Sequence, residues 1–266
     1  LVMFQHLWNI DPNKPQMILF DLAVHVGTVA SILYYYRKSV SRFLYGLNRD
    51  KGGLLQPVEL YQSSPSWRFF VLAMAAMFAT GVFYVGIKLI GKLAGETDGK
   101  DIFEVAFGNP NVVSILWLVT AGVLLITDKK RKARRGLKHF TITCALIIGL
   151  AQGIAILPGI SRSGSTICAC VLLGLHRRWA GEFSFLIGVM AIMGATLLES
   201  IDFFSDTNAT LPWGPVIAGA IVSGLVGFLA LNLLLWAVRK ARLKVFAVYL
   251  VIVAVLSLIY FNNHTV

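Results

Sequence analysis

The sequence predicts an all-α fold, namely a polytopic membrane protein with six transmembrane helices and one re-entrant helical hairpin. Of the 266 residues, 57% are hydrophobic and only 14% are charged, and the mean hydropathy is +0.73. Soluble domains carry about a quarter charged residues, so this composition favours a membrane protein. Several nearly uncharged stretches of roughly 16 to 25 residues also reach the length at which a helix crosses a bilayer.

Six apolar segments predict the transmembrane helices in chain order. The third segment is the shortest, and it would need extended ends or a thin bilayer to span. The predicted spans are residues 17–36, 69–90, 112–127, 183–201, 214–238 and 245–261.

The linkers between these segments differ in charge. The basic linkers include YYYRKSVSRFLYGLNRDKG, DKKRKARRGLK, HRR and RKARLK, whereas GETDGKDIFE and ESIDFFSDTNATLP are acidic or neutral. Because Lys and Arg accumulate in cytoplasmic loops, we expect the basic linkers to face the cytoplasm. The net charge of +11 is then explained by topology and by contact with the membrane, and no nucleic acid partner is expected.

Residues 141–175, between the third and fourth spans, have basic residues at both ends. Both ends should then face the cytoplasm, yet the return arm STICACVLLGL would extend only about 16 Å as a helix, half of the bilayer core. We therefore expect a re-entrant hairpin that turns at PGISRSG, where Pro158, Gly159 and Gly164 supply the breaks. Irregular backbone at this depth requires surrounding protein or a water-filled cavity.

Three spans precede the hairpin and three follow it with the opposite orientation, which predicts an inverted repeat. We expect one integral membrane domain over residues 1–266. Residues 1–139 would form the first repeat, which lacks a visible hairpin of its own. Residues 140–266 would form the second repeat, which contains the hairpin at about 141–175.

Arg162, in the hairpin turn, is the leading candidate for a functional residue. A charged side chain at the bilayer centre costs about 2.5–3.5 kcal/mol on insertion scales, so something must offset that cost. Nearby hydroxyls and the N-terminus of the following helix suit an anion, and phosphate especially. The alternative is a structural arginine that pairs with a buried carboxylate or with carbonyls and only stabilises the turn. The hydroxyl residues are Ser161, Ser163, Ser165 and Thr166, and the carboxylate candidates are Asp21, Glu182 and Glu199.

Two familiar phosphate-site signatures do not fit the stretch GISRSGST. It lacks the Gly-Lys-Ser/Thr of a P-loop. Lipid phosphatases of the acid-phosphatase type carry a His a few residues after the Arg, where this chain has Cys168. The three cysteines lie in apolar segments without metal-type spacing, so we expect them to pack as small apolar residues.

The stretch QGIAILPGISRSGSTI, followed by LGLHRRWAGEFSFLIGVMAIMGATLL, resembles the second signature region of the bacterial undecaprenyl-diphosphate phosphatases, the bacitracin-resistance family. FDLAVHVGTVASILYYYRK and LVTAGVLLIT resemble two other segments of that family, although Met190 stands where the family usually has Pro. The resemblance implies inverted repeats with two re-entrant hairpins. It also implies hydrolysis of undecaprenyl diphosphate to undecaprenyl phosphate and inorganic phosphate, which recycles the lipid carrier for peptidoglycan synthesis and confers bacitracin resistance.

The same resemblance implies roles for individual residues. Arg162 would be catalytic and would bind the diphosphate, together with Ser161, Ser163, Gly164 and Thr166. Supporting roles are expected for Gln152, Asp21, His25 and Glu182. Two of these have a structural alternative, because His25 is also explained as a packing residue and Glu182 as the partner of a neighbouring arginine.

The resemblance also implies a divalent cation, Mg or Ca. The family holds it with carboxylates in a Glu-rich segment that ends in a PVSSTGH-type tip. That segment would precede Leu1, since LVMFQHLW matches the family's residues just after the tip, and the metal ligands in this chain are therefore unknown. The chain would be either a fragment of an active phosphatase or a shortened, inactive relative.

A lipid-phosphate transporter or flippase is the other functional alternative, because inverted repeats with anion sites at half-depth are common in transporters. The expected location is the bacterial plasma membrane, with the active site open to the outer face. The expected partners are the membrane and a polyprenyl diphosphate lipid, and a homodimer is left open.

Overall fold

The described part of the chain is helical, with short connections. A computed structural model describes residues 15–50, 64–93, 109–130, 133–205 and 213–264. The stretch LVMFQHLW and most of the acidic linkers lie outside these ranges. The helices are α1 (Pro15–Tyr35), α2 (Arg37–Asp50), α3 (Pro65–Leu93), α4 (Pro110–Lys129), α5 (Ile142–Ile154), α6 (Arg162–Leu172), α7 (Arg177–Ser205), α8 (Trp213–Arg239) and α9 (Lys244–His264).

The six predicted spans correspond to α1, α3, α4, α7, α8 and α9, which are longer than predicted at one or both ends. Five helices in the described ranges are long and apolar enough to cross a bilayer, and α1 with α2 makes a sixth if the two count as one span. The third span is 20 residues long, so it requires no thin bilayer. The chain is therefore a multi-pass helical membrane protein, as predicted.

The basic linker after the first span is itself helical, a feature that its charge pattern did not predict. Helix α2 is bent by 76° from α1. Its polar and apolar residues segregate to different faces, as in helices that lie in the membrane interface. The bend at Tyr36 thus marks a change in the sequence pattern. The residues of α1 are mostly apolar, whereas those of α2 are amphipathic.

Helix starts follow from local capping chemistry. Pro110 begins α4, and the side chain of Asn109 accepts a hydrogen bond from the Asn111 amide. Thr141 caps α5 in the same way by accepting from the amide of Cys144. These caps supply partners for amides that a helix start otherwise leaves open, which matters in a low-dielectric environment.

The two arms of the predicted hairpin are α5 and α6, and their outer ends meet. The Arg135 amide donates to the Gly174 carbonyl at 2.9 Å, and the His176 amide donates to the Arg135 carbonyl at 2.9 Å. The chain thus leaves the hairpin where it arrived, as a re-entrant element requires. With 13 and 11 residues, the arms rise only about 20 and 16 Å.

The hairpin is enclosed by the longer helices. Helix α5 packs along α3, and α6 packs against α7 and α4, while α8 packs along α1 and α9 along α4. The main apolar core combines both hairpin arms with α3, α4 and α7. Cys168 and Cys170 are fully buried in this core as free thiols, in agreement with their interpretation as apolar residues. The division into repeats 1–139 and 140–266 stays a prediction.

Arg177, which belongs to the basic linker HRR, is buried at the basic end of the bundle. Its guanidinium donates to the carbonyls of Thr127 and Lys130 at the end of α4, at 3.3 and 3.1 Å, and to that of Val238 at the end of α8, at 3.4 Å. A cation among terminal carbonyls is favourable because helix C-termini carry partial negative charge. Arg177 therefore joins the ends of three helices.

Replacing Arg177 with Met should lower the free energy of unfolding by about 2–4 kcal/mol, since charge-assisted hydrogen bonds contribute about 1.5–3 kcal/mol each. Unfolding in detergent by SDS titration measures the change. The matched control is Arg178→Met, because Arg178 is 62% exposed and its ion pair with Glu182 should contribute about 1 kcal/mol or less. Equal losses for the two variants would contradict the role assigned to Arg177.

Candidate functional site

The hairpin turn lies at half the depth of the bundle. The Thr120 hydroxyl donates to the carbonyl of Gly159 at 3.3 Å and accepts from the amide of Ser161 at 3.4 Å. Thr120 is midway along the 20 residues of α4, so about 15 Å of helix separates it from either end. The turn therefore sits near the bilayer midplane, the depth predicted from the arm lengths.

The turn ends in an open helix N-terminus. Ser161 is the N-cap of α6, and its hydroxyl accepts from the Gly164 amide at 3.1 Å. The Ser165 amide donates to the Ser161 carbonyl at 2.8 Å. Within the described ranges, the amides of Arg162 and Ser163 have no acceptor. Two N–H groups at the positive end of the helix dipole are thus available to an anion.

Arg162 is the first residue of α6 and is partly buried. Its guanidinium forms no hydrogen bond or ion pair within the described part of the chain. A partly buried cation at the membrane midplane is costly unless an anion or water offsets it. Its guanidinium also offers five donors in a planar fork that matches phosphate oxygens. The absence of an acceptor among these residues favours the anion site over the structural arginine.

Two of the three carboxylates considered as partners of Arg162, Glu182 and Asp21, do not pair with it. Glu182 instead binds the neighbouring Arg178, whose Nε lies 3.2 Å from Glu182 Oε1. Asp21 is half-buried on α1, and no ion pair joins it to Arg162. The side chain of Glu199 lies outside what the structure describes. The alternative noted for Glu182, a salt bridge with a nearby arginine, is the arrangement observed.

Thr166 faces a neighbouring helix rather than the turn. It is 1% exposed, and its hydroxyl donates to the Arg162 carbonyl at 2.9 Å and hydrogen bonds the hydroxyl of Ser184 on α7. The hydroxyl of Thr166 is therefore used in the packing of α6 against α7. Ser163, in contrast, is partly exposed and makes no side-chain hydrogen bond within the described ranges. The phosphate-binding roles of both residues stay predictions.

Gln152 points into the contact between α5 and α3. Its side chain is 1% exposed, and Nε2 donates to the Thr80 hydroxyl at 3.2 Å. Thr80 in turn donates to the carbonyl of Gly149 at 2.9 Å. Gln152 is thus part of a buried polar contact on α5, about two helical turns before the PGISRSG turn. Its predicted supporting role would act through the packing of α5 against α3.

His25 is exposed on α1, and its Nδ1 lies 2.8 Å from the Asp21 carbonyl oxygen. This hydrogen bond lies within one helix, so no contact among the described residues brings His25 to the hairpin turn. Three hydroxyl residues that were not predicted as site residues, Thr80, Thr120 and Ser184, contact the hairpin instead. For Thr80 and Thr120 the available signal was a hydroxyl near the middle of a predicted span, whereas Ser184 lies at the start of its span and gave no such signal.

No group of three or more His, Cys, Asp or Glu side chains with a metal-binding arrangement occurs within the described ranges. The hydroxyls, amides and guanidinium of the turn are hydrogen-bond donors, which suit an anion and not a cation. The described residues therefore do not fit a divalent cation site by themselves.

Comparison with known proteins gives a consistent result over most of the chain. The family model described as "Bacitracin resistance protein BacA" matches residues 1–256. The undecaprenyl-diphosphatase of Halorhodospira halophila is 37% identical over 240 residues, which cover 90% of this chain and 79% of that protein. The undecaprenyl-diphosphatase of Halothermothrix orenii is 33% identical over 259 residues, which cover 97% of this chain and 88% of that protein.

Proposed function

The chain belongs to the BacA family of bacitracin resistance proteins, and on that premise we propose that it is an undecaprenyl-diphosphatase. The reaction is attack of water on the terminal phosphorus of undecaprenyl diphosphate. The phosphoanhydride bond breaks, and undecaprenyl phosphate and inorganic phosphate leave. The product is the lipid carrier that peptidoglycan synthesis reuses, and its recycling underlies resistance to bacitracin.

The observation that carries the proposal is Arg162 without an acceptor among the described residues at the open N-terminus of α6. In phosphoryl transfer, charge spreads over the equatorial oxygens of the transferred group, so positioned donors provide most of the catalysis. The guanidinium, the amides of Arg162 and Ser163 and the hydroxyl hydrogen of Ser161 form such a set. A site at half-depth also lets the polyprenyl chain remain in lipid while its head group enters the protein.

The location proposed is the bacterial plasma membrane, with the site open to the outer face. The support is charge asymmetry. The ends of the hairpin arms that lie far from the turn are flanked by Arg134, Lys138 and Arg178. Because Lys and Arg are enriched in cytoplasmic loops, these ends are expected on the cytoplasmic side. The hairpin then rises from the cytoplasmic side, so the turn faces the outer half of the protein.

A divalent cation remains a prediction of the family resemblance. Since the described residues do not form a cation site, no step of the reaction is assigned to a metal. The oligomeric state is not part of the proposal.

The test is phosphate release by the purified full chain reconstituted in liposomes. Undecaprenyl diphosphate should release one phosphate per molecule. Undecaprenyl phosphate is the control substrate, and it should release none because it lacks the anhydride bond. Transfer of labelled undecaprenyl phosphate or diphosphate between leaflets without phosphate release would support a flippase instead. The absence of both activities would contradict a catalytic function for this chain.

Thr166 and Ser161 should respond differently to loss of their hydroxyls. Thr166→Val should lower the free energy of unfolding by about 1–2 kcal/mol, because it leaves Ser184 with fewer partners in a buried contact, while kcat falls less than about tenfold. Ser161→Ala should lower kcat about 10²-fold, the usual cost of losing one transition-state donor. A loss of kcat for Thr166→Val as large as that for Ser161→Ala, at unchanged stability, would instead place Thr166 on the phosphate.

A further inference from the structure

A second region with ligand-binding character lies at the basic end of the bundle, under the interfacial helix α2. Two large apolar side chains of α2, Leu44 and Tyr45, are 57% and 71% exposed. The same helix exposes Arg37, Lys38 and Arg42. Exposed apolar residues combined with cations on one short helix are typical of contact with anionic lipid head groups.

Helix α2 forms one wall of a cavity of about 350 Å³, close to the lower limit for small-molecule sites. The other walls come from the end of α1 and the first turns of α3 and α7. The hairpin turn contributes no residue to this cavity, so it is separate from the candidate phosphatase site. The apolar part of the lining includes Ile32, Val40, Phe43, Phe69, Leu186 and Val189.

The polar part of the lining contains two arginines and one carboxylate, that of Glu182. Arg42 and Arg178 both line the cavity and are exposed. Arg178 uses only Nε to bind Glu182, so its two terminal nitrogens have no acceptor within the described ranges. The hydroxyl of Tyr36 is buried and also has no hydrogen-bond partner there. The guanidinium groups of Arg42 and Arg178 and the hydroxyl of Tyr36 can therefore donate hydrogen bonds to an anion, next to the apolar side chains of the lining.

We propose that this cavity binds an anionic phospholipid of the cytoplasmic leaflet, with its phosphate at Arg42 and Arg178 and one acyl chain against the apolar walls. Depth supports this occupant. Pro65 and Arg178 belong to the first turns of α3 and α7, so the polar end of the cavity lies at the level of the head groups, while Leu186 and Val189 extend its apolar part along α7 toward the membrane interior. The two arginines outnumber the single carboxylate of Glu182, and the resulting net positive charge favours an anionic lipid over a zwitterionic one. The proposal is independent of the hydrolase activity.

Native mass spectrometry of the full chain in detergent tests the proposal, with phosphatidylglycerol and phosphatidylcholine of identical acyl chains as probes. We expect one phosphatidylglycerol to remain bound under collisional activation that removes phosphatidylcholine. Arg42→Gln combined with Arg178→Gln should weaken phosphatidylglycerol binding about 30-fold, since each cation near the surface contributes about 1 kcal/mol. The matched control removes two exposed cations from outside the cavity at the same end, Arg134→Gln with Lys240→Gln.

A second variant tests the cavity without changing charge. Val40→Phe should displace the acyl chain and lower phosphatidylglycerol retention, even if the arginine variants fold poorly. Trp179, which lines the cavity, reports the position of the lipid, because brominated phosphatidylglycerol should quench more fluorescence in the wild type than in Trp179→Phe. Equal retention of the two lipids, or full retention by both cavity variants, would overturn the proposal. Displacement by undecaprenyl phosphate would overturn it as well and assign the cavity to the product of the reaction.

Discussion

Arg162→Ala is expected to lower kcat for phosphate release from undecaprenyl diphosphate by about 10³-fold or more. An arginine that stabilises the charge of a transferring phosphoryl group typically contributes a factor of 10³–10⁵. The rate of phosphate release by the purified variant, at saturating substrate, measures the effect. The free energy of unfolding should stay the same or rise, because Arg162 has no partner within the described ranges and its burial is costly.

Two further variants separate charge from geometry. Arg162→Lys keeps a cation but loses the planar fork, so its activity should lie between that of Arg162→Ala and that of the wild type. Arg134→Ala removes an exposed arginine from the basic end and should leave the rate unchanged. Normal hydrolysis by Arg162→Ala would remove the guanidinium from the mechanism, and a large loss of stability in that variant would favour a structural arginine.

Gly159→Ala is expected to lower kcat about 10²-fold and the free energy of unfolding by about 2–4 kcal/mol. Gly159 has a φ of +96°, and a Cβ there would lie 2.6 Å from the Val113 carbonyl oxygen on α4. Such a φ costs a non-glycine residue about 1–3 kcal/mol. The backbone clash must also move the turn away from α4, and displacing a catalytic group by about 1 Å can cost 10²-fold in rate. Phosphate release and SDS unfolding measure the two effects.

Gly174→Ala is the matched control, because Gly174 also has a φ of +96° but ends the second arm of the hairpin. Its nearest contact for a Cβ would be Arg135 Cδ at 3.3 Å, part of a flexible side chain that can move. We expect a stability loss of about 1–2 kcal/mol and less than a tenfold change in rate. If the two variants lose activity equally, the contact between the turn and α4 is not what positions Arg162.

The sequence predicted the helices and the hairpin well because both follow from local properties. A span is recognised from its own hydropathy, and the re-entrant element followed from basic ends combined with an arm too short to cross. The lack of an acceptor for Arg162 among the described residues agrees with the preference for an anion site. Helix α2 was missed because its residues were weighed by charge alone, and its amphipathic pattern is short.

The partners of individual polar side chains were less predictable. The family resemblance predicts a phosphate-binding role for Thr166, and the spacing of Gln152 from the turn predicts that its side chain can reach the same site. In the structure Gln152 contacts Thr80 on α3, and Thr166 contacts Ser184 on α7. The basic linker HRR places Arg177 at the cytoplasmic face, and the structure shows it buried there among helix ends. In each case the sequence does not show which neighbouring helix a side chain meets, and the functional roles of Gln152 and Thr166 stay predictions.

By itself, then, the sequence determined which segments are long and apolar enough to lie in the membrane, and that the chain turns back at PGISRSG between two short arms. Those properties depend on each segment's transfer from water to lipid and on its flanking charges, which act without reference to other segments. Only the tertiary structure decided which hydroxyls are used in packing and which donors remain open for an anion. A hydrogen bond forms with whatever acceptor packing brings within about 3 Å, and that acceptor usually lies on a helix far away in the chain.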